Sequence, residues 1–153
     1  MIIFLTFLIG VCGGLRSLTA PAATAWAVYL GRLKLEGPLS LIGSLPAVGI
    51  LTVIAFAELV VDKLPQTPSR TAPAGLIARI AMGGLTGACV ASAGAKSILL
   101  GALIGAIGGI AGCFPGYRAR IGAVKALNSR DLNVALVEDL IAIAGSIAVL
   151  SQF

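Results

Sequence analysis

The feature that most constrains this chain is a set of four long apolar stretches, at residues 39–61, 73–93, 98–114 and 132–150. Each approaches the roughly 20 apolar residues that a helix needs to cross a bilayer. Only 11% of the residues are charged and 58% are hydrophobic, whereas a soluble domain has about 25% charged residues. A soluble globule of 153 residues could not bury so much apolar surface, because its surface is too large relative to its volume. The sequence therefore predicts an all-α, polytopic transmembrane helical bundle that forms one domain over residues 1–153.

The N-terminal part of the chain leaves the number of spans open. Residues 2–15 and 21–30 are apolar, but neither piece is long enough to cross a bilayer alone. They could form one long helix kinked at Pro21, a span followed by a re-entrant half-helix, or two short tilted spans. The sequence thus predicts five full spans plus a short or re-entrant segment, with six spans as the alternative. No Lys or Arg precedes the first apolar run, so we expect a retained helix rather than a cleaved signal peptide.

Prolines mark two of the expected helix boundaries. Pro73 suits the first turn of a helix, where its missing N–H leaves no hydrogen bond unmade. Pro115 and Gly116 are expected to break the span that starts at residue 98. Residues 117–127 then form a basic amphipathic stretch, which is typical of a helix that lies at the membrane surface.

The distribution of basic residues predicts which side of the membrane each loop faces. Segments 63–70 and 118–130 lie on the same side, because two spans separate them. The opposite side contains Lys96, whereas these two segments contain Lys63, Arg70, Arg118, Arg120, Lys125 and Arg130. Since cytoplasmic loops are enriched in Lys and Arg, we place the cation-rich side in the cytoplasm and the C-terminus outside it. The side of the N-terminus stays open.

Glycines recur every four residues on two adjacent predicted helices. One row contains Gly101, Gly105 and Gly109, and the other contains Gly83 and Gly87. Residues four apart share a helix face, and small residues on such a face let helices pack closely in lipid. The rows are therefore expected either to pack helices within one chain or to join copies of the chain in a homo-oligomer.

Several ionisable residues fall inside the predicted spans or at their ends. Glu58 and Asp62 are four residues apart and share a helix face. Arg79, Glu138 and Asp139 each lie about two turns into a span. A charge at that depth is costly unless it is paired or hydrated.

These charges are expected to pair with one another. The arrangement with the lowest free energy pairs Arg79 with Glu58 or Glu138. It pairs the remaining acids with Lys63, Arg118 or Arg120. Two interpretations stay open. The cluster is either a structural ion-pair network that locks the helices together or a site for a substrate or proton, since intramembrane ionisable groups tend to mark transport pathways.

Two glycine-rich segments that end in an arginine resemble each other. Residues 10–16 end at Arg16, and residues 109–118 end at Arg118. In the five-span count their helices run in opposite directions, as in the inverted repeats of secondary transporters, where paired breaks point to a binding site. A half-helix that starts near residues 17–21 would aim its free N–H groups at the break, which favours an anion beside Arg16. An inverted repeat is therefore possible, with ordinary kinks as the alternative.

The residue types that are missing narrow the chemistry. The chain has no histidine, the commonest general base and metal ligand. Cys12, Cys89 and Cys113 are odd in number and lack a CxxC spacing, so we expect packing residues rather than a disulfide or zinc site. We therefore expect no enzyme activity, no metal and no cofactor. The net charge is +5, but the chain has no basic run interleaved with aromatic residues. We therefore expect the lipid bilayer as a partner and no nucleic acid.

Residues 57–65 read AELVVDKLP and contain the element Glu-x-x-x-Asp-Lys-x-Pro. With this element, the Gly14-Leu15-Arg16 stretch and residues 128–139, the chain resembles an uncharacterised family of small bacterial membrane proteins, domain of unknown function 4126. The likeness covers most of the chain. It implies a protein of the bacterial inner membrane and no particular activity, and it supports singling out Glu58, Asp62, Lys63, Glu138 and Asp139.

These features together favour transport. The leading hypothesis is a small transporter or channel-like protein for a small polar or ionic solute, in which Glu58 and Glu138 bind a proton or cation. The arginines would contact anionic groups or hold the acids ionised. The alternative is a structural or assembly protein that binds partner helices or lipids through its glycine-rich faces. The candidate site residues are Arg16, Glu58, Asp62, Lys63, Arg79, Arg118, Glu138 and Asp139.

Overall fold

Helices account for most of the residues that the structure describes. The computed structural model describes residues 1–63, 72–126 and 131–153, and these ranges contain no strand. Arg70 and Arg130, which belong to the cation-rich segments, lie outside the described residues. The predicted all-α class is confirmed for the described ranges. The helices are α1 (Ile2–Leu15), α2 (Thr19–Tyr29), a 3-10 helix (Gly37–Gly43), α3 (Leu45–Val61), α4 (Pro73–Ala93), α5 (Ile98–Ala126) and α6 (Asp131–Leu150).

Three of the described helices, α4, α5 and α6, are long and apolar enough to cross a membrane. The 3-10 helix and α3 pass the same test together, but they are bent by 61° and form a fourth span only if the pair crosses as one unit. The first helix, α1, is apolar but has only 14 residues. The described helices thus fit a membrane protein, whereas the predicted count of five or six spans is not confirmed.

The predicted span over residues 39–61 is wrong in one respect, because a bend divides it. Ser44 has an extended backbone (φ −67°, ψ 146°) and separates the 3-10 helix from α3. Pro46 lies in the first turn of α3, where it cannot donate a hydrogen bond back to the preceding helix, so the chain turns before α3 begins. Gly43 lies against α2 at this bend, where an added Cβ atom would be 2.8 Å from the Cβ atom of Val28.

The predicted break at Pro115 is also wrong, because α5 continues through it to Ala126. A proline removes one backbone hydrogen bond, and the exposed Pro115 ring does not have to fit against another helix. Residues 117–126 are therefore the last part of α5 rather than a separate segment. The inverted repeat is not confirmed, since it relies on two breaks and α5 lacks the second. Pro73, in contrast, lies in the first turn of α4 as predicted.

The helices α1, α4 and α5 pack closely through their glycines. A Cβ atom added to Gly83 would lie 2.7 Å from the backbone oxygen of Gly105, and one added to Gly87 would lie 2.5 Å from that of Gly101. Packing within one chain, the first interpretation of the glycine rows, is what these contacts show. Association between copies through the same glycines stays a prediction, and it would require these helices to separate first. The contact between α1 and α5 uses a further set, Gly10, Gly14, Gly108 and Gly112.

A cluster of buried apolar side chains lies at one end of the bundle, where α1, α2, α4 and α6 meet. It includes Leu5 and Ile9 of α1, Ala27 of α2, Val90 of α4 and Val149 of α6. The structure buries Cys12, Cys89 and Cys113, as expected for packing residues.

Replacing Gly105 with alanine is expected to destabilise the bundle. The new Cβ atom would meet the backbone of Gly83 and Gly87, which can move only if their whole helix moves. Overpacking of this kind costs about 1–3 kcal/mol of the free energy of unfolding. The measurement is the apparent melting temperature of the purified protein in one detergent.

Gly49→Ala is the matched control, because Gly49 is exposed inside α3 and a Cβ atom there meets nothing within 4 Å. Alanine should leave the melting temperature unchanged or raise it slightly, since glycine is unfavourable in a helix interior. If Gly105→Ala melted at the wild-type temperature, the close packing of α4 on α5 would be refuted.

Candidate functional site

The connection between α1 and α2 carries an arginine into the interior. The first helix ends at Leu15 because Arg16 adopts an extended backbone (φ −139°, ψ 113°), and α2 begins at Thr19. The Arg16 side chain is 0% exposed. The predicted break between the two apolar pieces is therefore present, and it places a guanidinium group among the helices.

Two aspartates from distant parts of the chain contact Arg16. Its Nη1 atom donates a hydrogen bond to Oδ2 of Asp62, at the end of α3. Its Nε atom lies 2.6 Å from Oδ1 of Asp139 on α6, an ion-pair distance at which the two groups are not aligned as a hydrogen bond. Its Nη2 atom is buried and has no hydrogen-bond partner among the described residues. Arg16 is thus held by two negative charges, while neither its Nε nor its Nη2 atom donates a hydrogen bond to a described residue.

A lysine and a second arginine extend this network. The Nζ atom of Lys63 lies 2.7 Å from Oδ2 of Asp139. On α4, Nη2 of Arg79 lies 3.9 Å from Oδ2 of Asp62, and the Arg79 residue is 4% exposed. The Nε atom of Arg79 donates to the carbonyl of Gly14 at 3.1 Å. That carbonyl belongs to the last turn of α1, whose acceptors have no partner within the helix, so Arg79 also stabilises the end of α1.

Glu58 binds the start of α2. Its Oε1 atom accepts hydrogen bonds from the backbone N–H of Ser17 at 2.9 Å and from the Ser17 hydroxyl, and Oε2 accepts one from the N–H of Leu18 at 2.8 Å. A carboxylate is favourable there, because the first N–H groups of a helix are unpaired and the helix dipole attracts negative charge. The Glu58 carboxylate therefore occupies the position at the start of α2 where the sequence predicted an anion. Arg79 forms an ion pair with Asp62, whereas the sequence predicted Glu58 or Glu138 as its partner.

Arg120 joins α5 to α6. Its Nε and Nη2 atoms lie 2.8 and 2.5 Å from the two carboxylate oxygens of Asp131, and its Nη1 atom lies 3.7 Å from Oε2 of Glu138. The sequence predicts both Arg118 and Arg120 as ion-pair partners but only Arg118 as a site residue, and a role for Arg118 in the site stays a prediction. Arg118 is exposed and joins none of the ion pairs of the described residues. Arg118 and Arg120 are two positions apart, so they point in directions about 200° apart around the helix axis. Only one of them can therefore face α6.

Eight residues form what we call the charged cluster, and it brings together all the predicted site residues except Arg118. Four are cations and four are carboxylates, and Asp131, which binds Arg120 at the edge of the cluster, adds a further carboxylate. The side chains of Asp62 and Lys63 are 18% and 20% exposed. Arg16 and Arg79 are almost fully buried. Mutual pairing is what makes burial of these charges tolerable. The members are Arg16, Glu58, Asp62, Lys63, Arg79, Arg120, Glu138 and Asp139.

An apolar groove of about 600 Å³ lies between α2, α3 and α6. Thr19, three residues after Arg16, lies at the groove end nearest the cluster, and its hydroxyl oxygen is buried without a hydrogen-bond partner among the described residues. The Trp26 Nε1 atom donates to Oγ1 of Thr52 at 3.0 Å and so connects α2 with α3. The groove could not be predicted from the sequence, because it is the gap between three helices that are distant in sequence. Its lining includes Thr19, Trp26, Arg32, Phe56, Ile143 and Ile147.

A comparison with protein families agrees with this description. The profile of the family described as Domain of unknown function (DUF4126) matches residues 3–152, nearly the whole chain. The chain belongs to this family. The resemblance that rests on the AELVVDKLP element is thereby confirmed, and the match includes every residue of the charged cluster and of the groove. No curated protein and no solved structure matches the chain.

Proposed function

We propose that this DUF4126 protein is a small membrane transporter or channel-like protein for a small polar or ionic solute, which acts at the charged cluster. The observation that supports this proposal is the buried Arg16 guanidinium, whose Nη2 atom has no hydrogen-bond partner among the described residues. An unused donor on a buried charge is unfavourable, because nothing replaces the water that the group has lost. A solute with an oxygen or a negative charge would supply the missing acceptor.

The neighbouring charges would make binding at Arg16 reversible. Asp62 and Asp139 already contact Arg16, so a solute that binds there competes with carboxylates rather than filling an empty positive site. The partial exposure of Asp62 and Lys63 makes this side of the cluster reachable from the surface. Both oxygens of Glu58 accept N–H groups at the start of α2, so Asp62 and Asp139 are the acids on which a coupled proton would act.

Solute flux into proteoliposomes tests the transport proposal. The wild-type protein is expected to move at least one member of a panel of small anions, cations and polar solutes faster than protein-free vesicles do. Arg16→Lys keeps the positive charge but removes the Nη2 donor. It should lower that flux about tenfold or more, because a hydrogen bond to a charged group contributes about 1.5–3 kcal/mol.

Lys96→Gln is the control for the flux experiment, because Lys96 is an exposed cation in the turn between α4 and α5. Its flux should equal that of the wild-type protein. Transport is contradicted if the wild-type protein moves no solute in the panel, or if Arg16→Lys moves the solute at the wild-type rate.

A structural role is the second candidate, and the mutual pairing of charges within the charged cluster favours it. Its ion pairs join the α1–α2 connection to α3 and α6, α4 to the end of α3, and α5 to α6. Such a network would fix the arrangement of helices that a partner helix or a lipid recognises. The same experiment separates the two roles. A structural role is supported if the wild-type protein moves no solute and Arg16→Lys lowers the apparent melting temperature.

A further inference from the structure

The walls of the groove are apolar over most of their length. Small side chains of α2, among them Ala23 and Ala27, leave the space open. Phe56 of α3 and Ile143 and Ile147 of α6 line it. The second helix packs against both α3 and α6, whereas α3 and α6 barely touch each other, so the gap between them lies along α2.

In a bilayer such a gap is filled by hydrocarbon. Water is not available within the hydrocarbon core to occupy it, and an empty gap would forfeit the dispersion contacts of its walls. The volume of about 600 Å³ lies within the range of about 300–1,000 Å³ that is usual for small-molecule sites. The 11 residues of α2 extend over roughly 16 Å, so the groove is long and suits an acyl chain.

One end of the groove has the features of a headgroup site. Arg32, just beyond the end of α2, lines the groove, is exposed and forms no ion pair with the other described residues. Trp26 and Tyr29 lie on the last turns of α2 with their ring centroids 5.8 Å apart and their planes perpendicular. Tryptophan and tyrosine concentrate at the headgroup level of a bilayer. A guanidinium group at that level binds phosphate with two parallel hydrogen bonds.

We propose that the groove binds one anionic phospholipid of the bilayer, with its phosphate at Arg32 and one acyl chain along α2 between α3 and α6. Charge complementarity selects the anionic headgroup, and the apolar lining selects the chain. This site lies at the opposite end of α2 from the charged cluster. The proposal is independent of transport, and lipid binding is measured without any flux.

The fluorescence of Trp26 tests the lipid site directly, because Trp26 is the single tryptophan of the chain and lines the groove. Phospholipids with brominated acyl chains quench tryptophan on contact. The protein is reconstituted into phosphatidylcholine vesicles with increasing fractions of brominated phosphatidylglycerol, and then with the bromine on phosphatidylcholine instead. We expect the apparent affinity of the Trp26 site to be about fivefold higher for phosphatidylglycerol than for phosphatidylcholine. One cation near an anionic membrane surface has an effect of this size.

Two pairs of variants separate the headgroup from the chain. Arg32→Gln should abolish the preference, whereas Lys34→Gln should keep it, because Lys34 is an exposed cation that does not line the groove. Ala23→Phe fills the groove and should lower quenching by both brominated lipids. Leu103→Phe lies on the exposed face of α5 and should leave quenching unchanged.

Three outcomes would overturn the lipid site. The first is equal quenching by the two lipids in the wild-type protein, or a preference that survives Arg32→Gln. The second is undiminished quenching in Ala23→Phe, which would place the acyl chain elsewhere. The third is a dimer in which Trp26 is shielded from brominated lipid, since a second copy of the chain would then occupy the groove.

Discussion

Replacing Arg16 with methionine is expected to lower the free energy of unfolding by about 3–5 kcal/mol, the usual effect of removing one partner from a buried ion pair. Methionine is similar in length, so the packing around the α1–α2 connection changes little and the effect reports the lost charge. Among the described residues, Arg79, at 3.9 Å from Asp62, and Lys63 would remain to balance Asp62 and Asp139 in the interior. The apparent melting temperature in detergent should fall by about 10 °C, since 1 kcal/mol corresponds to about 2–4 °C at this size.

Arg118→Met is the matched control for Arg16→Met, because Arg118 is exposed on α5 and forms no ion pair with the described residues. Its effect should stay within about 0.5 kcal/mol, as for most surface substitutions. Adding Asp62→Asn to Arg16→Met should recover part of the loss, because it removes one unpaired carboxylate. Equal melting temperatures for Arg16→Met and Arg118→Met would show that the Arg16 guanidinium is not held in a buried pair.

The positions of the long helices could be predicted from the sequence, whereas their bends could not. Apolar runs bounded by polar residues placed α4 at residues 73–93 and the last helix at 132–150, and the structure has Pro73–Ala93 and Asp131–Leu150. Prolines were a poorer guide. Both prolines are exposed, yet Pro46 follows a bend and begins a new helix, whereas Pro115 lies inside a continuous one. Residue type alone therefore does not tell a helix start from a tolerated interior proline.

The members of the charged cluster could largely be predicted, but their pairing could not. Depth along a helix follows from the position of the helix ends, so Glu58, Arg79 and Glu138 are predicted to lie at a similar level. Pairing depends on helix rotation and on backbone groups. The N–H groups of Ser17 and Leu18 attract Glu58, and nothing in the sequence ranks them above the guanidinium of Arg79.

Glu58→Ala is expected to release the start of α2 from α3. It leaves the N–H groups of Ser17 and Leu18 and the Ser17 hydroxyl without their acceptor. An unsatisfied buried group costs about 1–3 kcal/mol, and since water can reach part of this site we expect a total loss of about 3 kcal/mol. The melting temperature should fall, and hydrogen exchange should become faster at the first amides of α2 while those of α4 and α5 stay protected.

Glu58→Gln separates the hydrogen bonds from the charge at this helix start. The glutamine amide can accept from Ser17 through its oxygen, but its NH₂ group cannot accept from Leu18, and it lacks the negative charge that the helix dipole favours. Its effect should therefore fall between those of the wild-type protein and Glu58→Ala. Glu36→Ala, at an exposed carboxylate between α2 and the 3-10 helix, should change neither measurement. Wild-type exchange rates at the first amides of α2 in Glu58→Ala would show that the Glu58 carboxylate does not hold α2 against α3.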